Sequence, residues 1–122
     1  MIEGLTFDYG WRKPFNIQFQ GVNTEIELVF DAYKGEDVNE KQLASYEMFS
    51  KEKAKYEAKV LTLLQEYIRN NRIQNTGVQA KSLQFNYDGS FALLCDCDWD
   101  IENGIAVVLY PNEAVTLQGN FL

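Results

Sequence analysis

The residues best suited to chemistry stand in one run near the C-terminus, Cys95-Asp96-Cys97-Asp98-Trp99-Asp100-Ile101-Glu102-Asn103-Gly104. Read as an extended strand, this run places Asp96, Asp98, Asp100 and Glu102 on one face and Cys95, Cys97, Trp99 and Ile101 on the other. Four carboxylates on one face suit three kinds of work: docking a Lys- or Arg-rich protein, gathering a divalent cation, or acid–base hydrolysis. The calcium-loop pattern fails, because Ile101 stands where the sixth position needs Gly and Val107 where the twelfth needs Glu. Hydrolysis requires a pocket that raises one carboxyl pKa beside another, and no such pocket is legible. Carboxylates about 7 Å apart on a strand repel by only about 0.6 kcal/mol in water, so a solvated face needs no cation. Asp96, Asp98, Asp100 and Glu102 are therefore the candidate partner-binding residues, with no catalytic, metal or cofactor site assigned.

The rest of the chain narrows the chemistry further. It has no histidine, which removes Ser-His and Cys-His nucleophilic pairs and the commonest transition-metal ligand. Cys95 and Cys97 supply two thiolates where a tetrahedral site needs four ligands, and alternation sends both toward the core. Trp11, Arg12 and Lys13 form a cationic-aromatic cluster in a turn, readable as an exposed anchor or as a core Trp between solvated charges. Lys51, Lys53, Lys55 and Lys59, interleaved with Glu52 and Glu57, read as an exposed, salt-laced helix face.

Simple elements must position these residues. Phe15, Ile17 and Phe19 alternate on one face, as do Ile26, Leu28 and Phe30 after a turn at Gly21-Val22-Asn23, predicting a hairpin. Leu5 and Phe7 suggest a short edge strand before it. Leu43, Tyr46, Phe49, Tyr56, Val60, Leu64 and Tyr67 then recur at helical spacing, and Asn39 with Gln42 reads as a capping box. One long helix is expected from about residue 39 to 70. Its length of about 48 Å exceeds a domain diameter of about 35 Å, so it must overhang, bend or break, with a bend expected near 50–53. Beyond Gly77, alternation returns in Leu83, Phe85 and Tyr87; Asp88-Gly89 marks a tight hairpin, Phe91 to Trp99 the returning strand, and Glu102-Asn103-Gly104 a second turn. Ile105 to Tyr110 is apolar throughout, as in a strand covered on both faces, and Val115 to Leu117 follows the Pro111-Asn112 turn. The expected fold is α+β: residues 1–122 as one domain, an antiparallel sheet of N-terminal hairpin and C-terminal meander packed against one long helix.

Charge bounds the partners. The net charge is −7, with no Lys or Arg from Ser82 to Leu122, which disfavours nucleic acid and favours a basic protein. A first stretch without a basic start or apolar run, and no span of about 18 apolar residues, predict a cytoplasmic chain with no membrane contact.

The run from Ser82 to Val107 resembles a family of uncharacterised small bacterial domains whose signature is approximately W-D-x-E-H-G-x-x-V, carried here by Trp99, Asp100, Glu102, Gly104 and Val107. Asn103 occupies the usual His position. The Gly10-Trp11 start, the paired strands and a helix from Gln42 to near Tyr67 are also similar. The resemblance implies an uncharacterised domain, some relatives being immunity-type proteins that block a toxin. The function expected is thus non-enzymatic protein binding in a bacterium, as an immunity-type inhibitor of a basic toxin domain. The alternatives are a divalent-metal-dependent hydrolase using the same carboxylates and a structural or oligomerisation module. A further reading of the Trp99 segment has Trp99 in the core while Asp100, Glu102 and Asn103 shape a turn.

Overall fold

The computed structural model describes residues 2–122 and shows a single seven-stranded sheet in chain order: β1 (Thr6–Phe7), β2 (Trp11–Phe19), β3 (Val22–Phe30), β4 (Val78–Phe85), β5 (Phe91–Cys97), β6 (Ile105–Tyr110) and β7 (Ala114–Leu117). Every neighbouring pair is antiparallel except β3–β4. The expected all-antiparallel sheet is therefore mixed. Its one parallel pair follows from the crossover: the helices return the chain across one face, so β4 starts at the same end as β3.

The helical region is two helices, α1 (Glu40–Lys51) and α2 (Lys53–Asn70), where one long helix was expected. Glu52 breaks the run with φ −118° and ψ 29°, inside the stretch 50–53 where a bend was expected. Ser50 Oγ donates to the Tyr46 carbonyl at 2.8 Å, a back-bond that weakens the helical ladder just before the break. Lys53, which interrupts the apolar stripe, lies 5.6 Å from the centre of the Phe15 ring and pairs with Glu57 at 2.9 Å. The ammonium itself thus stands over an aromatic face and is paired with a carboxylate, which is how a cation is accommodated inside the apolar stripe.

The N-terminal hairpin closes on Gln20-Gly21, one position earlier than the sequence suggested; both residues have positive φ (52° and 78°), as a two-residue primed turn requires. Pro14 sits inside β2 without breaking it. Antiparallel strands direct alternate residues to opposite edges, and Gln18, on the same edge as Pro14, turns its N–H outward to Glu57 at 2.6 Å. A proline at position 14 therefore removes no bond to β3. In β4 the register shifts between Ala80 and Ser82. This bulge at Lys81 keeps Val78, Ala80, Leu83 and Phe85 all buried and hides the first half of the strand from a period-two reading.

Between sheet and helices lies an aromatic core. Phe30 stacks on Phe85 at 5.0 Å, Phe85 meets Phe91 at 5.0 Å, and Phe49 and Tyr56 approach Phe91 edge-on at 5.9 and 5.4 Å. On the opposite face Ala92, Leu94 and Ala106 are covered with help from Phe121 of the short α3 (Gln118–Phe121). The small side chains make room for that cover, which explains why β6 is apolar on both faces.

Candidate functional site

The carboxylate row does not form. Strand β5 ends at Cys97 and residues 98–103 make a turn, so the expected four-acid face is corrected to a single strand position followed by a loop. Asp96 is exposed on the strand and lies 3.9 Å from Lys81. Asp98 is exposed too; its N–H donates to the Gly77 carbonyl at 2.9 Å and its carboxylate crosses so close to Gly77 that a side chain there would collide. Asp100 Oδ1 accepts from the Asn103 N–H and Nδ2 at 3.2 and 3.0 Å, and the Asp100 carbonyl accepts from the Gly104 N–H at 3.0 Å. Such Asx bonding favours a turn over an extended strand. Glu102 and Ile101 are both exposed, Ile101 at 81%, so Ile101 does not join the core. Trp99 does pack against the core, with its ring 6.3 Å from Tyr67. The turn reading of the Trp99 segment therefore holds.

Cys95 and Cys97 are free and buried, and burial pushes both thiols above their usual pKa, Cys95 far above it. A thiolate is disfavoured in such surroundings. Among the described residues no three Cys, Asp or Glu side chains converge to hold a metal ion.

Another surface is better built. It lies where β1, the start of β2, the 31–39 loop and the start of α1 meet. Gly10, with φ 118°, passes so close to the Phe30 carbonyl that a Cβ would stand 3.0 Å from it; the glycine lets the chain turn tightly from β1 into β2. Trp11 then projects half-buried, its Nε1–H donating to the Glu36 carbonyl at 2.7 Å and its ring meeting Phe7 edge-on at 5.4 Å. Ile2, Gly4, Leu5, Trp11, Asp37, Val38 and Leu43 enclose a hollow of about 510 Å³, within the range of ligand-sized pockets. Phe7, Tyr9, Tyr33 and Lys34 help form a second hollow of about 380 Å³, and its Phe7 touches Trp11 of the first.

The two cations beside Trp11 are tied into this end of the sheet. The Arg12 guanidinium pairs with Glu27 and donates to the Asp8 and Tyr9 carbonyls. It thereby fixes the backbone of Tyr9, whose φ of 53° is unusual for an aromatic residue and whose side chain is 90% exposed. Lys13 Nζ donates to the Glu3 carbonyl at 3.0 Å, holding the N-terminal segment as a wall of the first hollow.

The loop opposite is held equally firmly. Tyr87 OH donates to Glu36 Oε1 and accepts from the Tyr33 N–H at 2.8 Å, and the same N–H reaches Glu36 at 2.8 Å. The Tyr87 hydroxyl and the Tyr33 amide hold the Glu36 carboxyl below its ordinary pKa, while desolvation and the Glu36 bond push Tyr87 up to about 12. Gln42 is fully buried at the first turn of α1; its Oε1 accepts from the Asn39 N–H at 2.9 Å, and its Nε2 donates to the carbonyls of Asp31 and Phe85 at 2.8 and 3.1 Å. The expected capping box thus also clamps the helix start to the ends of β3 and β4. Tyr33 remains 74% exposed on a fixed backbone. Sequence reasoning singled out Trp11 but missed Tyr9 and Tyr33. The available signal was an aromatic residue in each of the turn contexts Asp8-Tyr9-Gly10 and Tyr33-Lys34-Gly35, off every periodic stripe.

Among the described residues no helix is long and apolar enough to cross a membrane. Comparison with curated proteins and with solved structures finds no match. One family model matches residues 1–87, covering the residues that line both hollows and stopping before the Trp99 segment and its carboxylates. The chain belongs to that family, a domain of unknown function (DUF6985).

Proposed function

We propose that this domain is a non-enzymatic protein-binding module whose contact surface is the aromatic end of the sheet, and that its partner is basic. The observation that carries the reading is the pair Tyr9 and Tyr33, 90% and 74% exposed on backbones held by side-chain hydrogen bonds. Rigid tyrosines give large contact area at low cost in conformational entropy, and Tyr, Trp and Arg dominate binding hot spots. Trp11 and the two hollows beside them supply depth for anchoring side chains.

The net charge of −7 favours a cationic partner. In this reading the exposed carboxylates of Asp96, Asp98 and Glu102, at the far end of the sheet from Tyr9 and Tyr33, add only to the overall negative charge, and Asp100 shapes the turn that presents Glu102. An immunity-type role in a bacterium, capping a basic toxin domain in the cytoplasm, is one form such binding takes. Metal-dependent hydrolysis is disfavoured because the carboxylates diverge. An oligomer joined through an overhanging helix is disfavoured because α2 lies against β2, β6 and β7.

The test is affinity capture from extracts of cells that carry the protein, followed by calorimetry with the purified partner. Tyr9→Ala/Tyr33→Ala should weaken binding at least about tenfold at unchanged Tm. A partner bound equally well by this variant would overturn the reading.

A further inference from the structure

Resting on that reading, we propose that the Trp11 hollow receives an apolar side chain of the partner, and that the residue next to it in the partner is Lys or Arg, placed against Asp37. The hollow has the right chemistry for both halves. Ile2, Leu5, Trp11, Val38 and Leu43 give it apolar walls, and its volume of about 510 Å³ accommodates a Phe or Leu side chain. The Trp11 Nε1–H is already bound to the Glu36 carbonyl, so the indole offers the hollow carbon surface and no competing donor.

Asp37 is the one charged side chain in the lining. Among the described residues it forms no ion pair, whereas the nearby ammonium of Lys13 is bound to the Glu3 carbonyl. The neighbouring Glu36 carboxylate is bound by the Tyr87 hydroxyl and the Tyr33 amide and is not part of the lining, which leaves Asp37 as the charge the hollow presents. The lining therefore combines apolar walls with a single exposed anion. That combination selects an apolar residue adjacent to a cation over the same residue adjacent to an anion.

A pair of unit charges about 5 Å apart in water changes binding about fourfold. The experiment titrates ¹⁵N-labelled protein with the peptides acetyl-Phe-Lys-amide and acetyl-Phe-Glu-amide and follows the Trp11 indole N–H and the amides of Leu5 and Val38. Saturable shifts at these positions, with the Lys peptide at least about fourfold tighter and the preference falling within about twofold in Asp37→Asn, are expected. Unmoved Trp11 signals, equal affinity for the two peptides, or an unchanged preference in Asp37→Asn would overturn the proposal. The wider reading fails separately. If captured partner depends on Tyr9 and Tyr33 while neither peptide moves Trp11, only the hollow assignment falls; if the peptides behave as expected and partner binding ignores both tyrosines, only the tyrosine surface falls.

Discussion

Replacing Gln42 tests whether one buried amide holds the aromatic end of the sheet together. Its side chain makes three hydrogen bonds, to the Asn39 N–H and to the Asp31 and Phe85 carbonyls. Gln42→Ala keeps the Asn39 cap on the backbone N–H of residue 42 but deletes all three. At about 0.5–1.5 kcal/mol per net hydrogen bond, with a small cavity added, the loss is about 3–4 kcal/mol. The Phe85 carbonyl still accepts from the Asp31 N–H at 2.9 Å, which keeps the figure from rising further. For a chain of this size that loss lowers Tm by about 10–15 °C. Gln42→Glu sharpens the test. Its carboxylate would face two carbonyl oxygens, so folding raises its pKa above the unfolded value of about 4.3. Stability is then fully present below about pH 4.3 and is lost as pH rises through the folded value. Urea unfolding monitored by circular dichroism at pH 4 and pH 7 measures both variants. A Gln42→Ala loss under about 1 kcal/mol, or a Gln42→Glu variant equally stable at both pH values, would show that the Gln42 amide does not hold this end.

Two further perturbations probe the supports. Tyr87→Phe removes a donor to Glu36, so NMR titration should find the Glu36 pKa raised toward its ordinary value of 4.5; the contribution of Glu36 to wild-type stability is present above that value and lost as pH falls through its lowered folded pKa, and that of Tyr87 is whole below about 10 and lost as pH rises toward about 12. An unmoved Glu36 titration in Tyr87→Phe would mean the bond does not hold in solution. Glu57→Ala uncovers the outward Gln18 N–H on the β2 edge and should cost about 1–2 kcal/mol while promoting self-association in sedimentation, with Glu57→Gln retaining most of both properties. Equal behaviour of the two variants would assign the effect to charge alone.

Much of this fold is legible from local rules. The Phe15–Phe19 and Ile26–Phe30 alternation, the Asn39–Gln42 box and the Asp88-Gly89 turn each depend on residues adjacent in the chain, and each appears in the structure. Length left the helix to overhang, bend or break, and the local irregularity at Ser50 and Lys53 pointed to a bend near 50–53, where the structure has a break. What escaped depends on distant partners. The parallel β3–β4 pair is a property of the crossover, and the bulge at Lys81 disguises a buried strand as a polar stretch. The Asp96–Glu102 run alternates perfectly, yet the Asp100–Asn103 hydrogen bonds make it a turn, because an Asx side chain competes with the strand ladder. The aromatic end was harder still: it joins residues 2–11 to residues 31–43 and to Tyr87, and only the fold brings them together.

The account stands or falls on which surface docks the partner. The direct measurement is surface plasmon resonance of the captured partner against three proteins: the wild type, Tyr9→Ala/Tyr33→Ala, and Asp98→Asn/Glu102→Gln. Docking at the aromatic end means that the tyrosine variant dissociates at least about tenfold faster, while the neutralised acids, at the far end of the sheet, leave Kd within about threefold. Rapid dissociation from the neutralised variant, with the tyrosine variant binding as wild type, would contradict it.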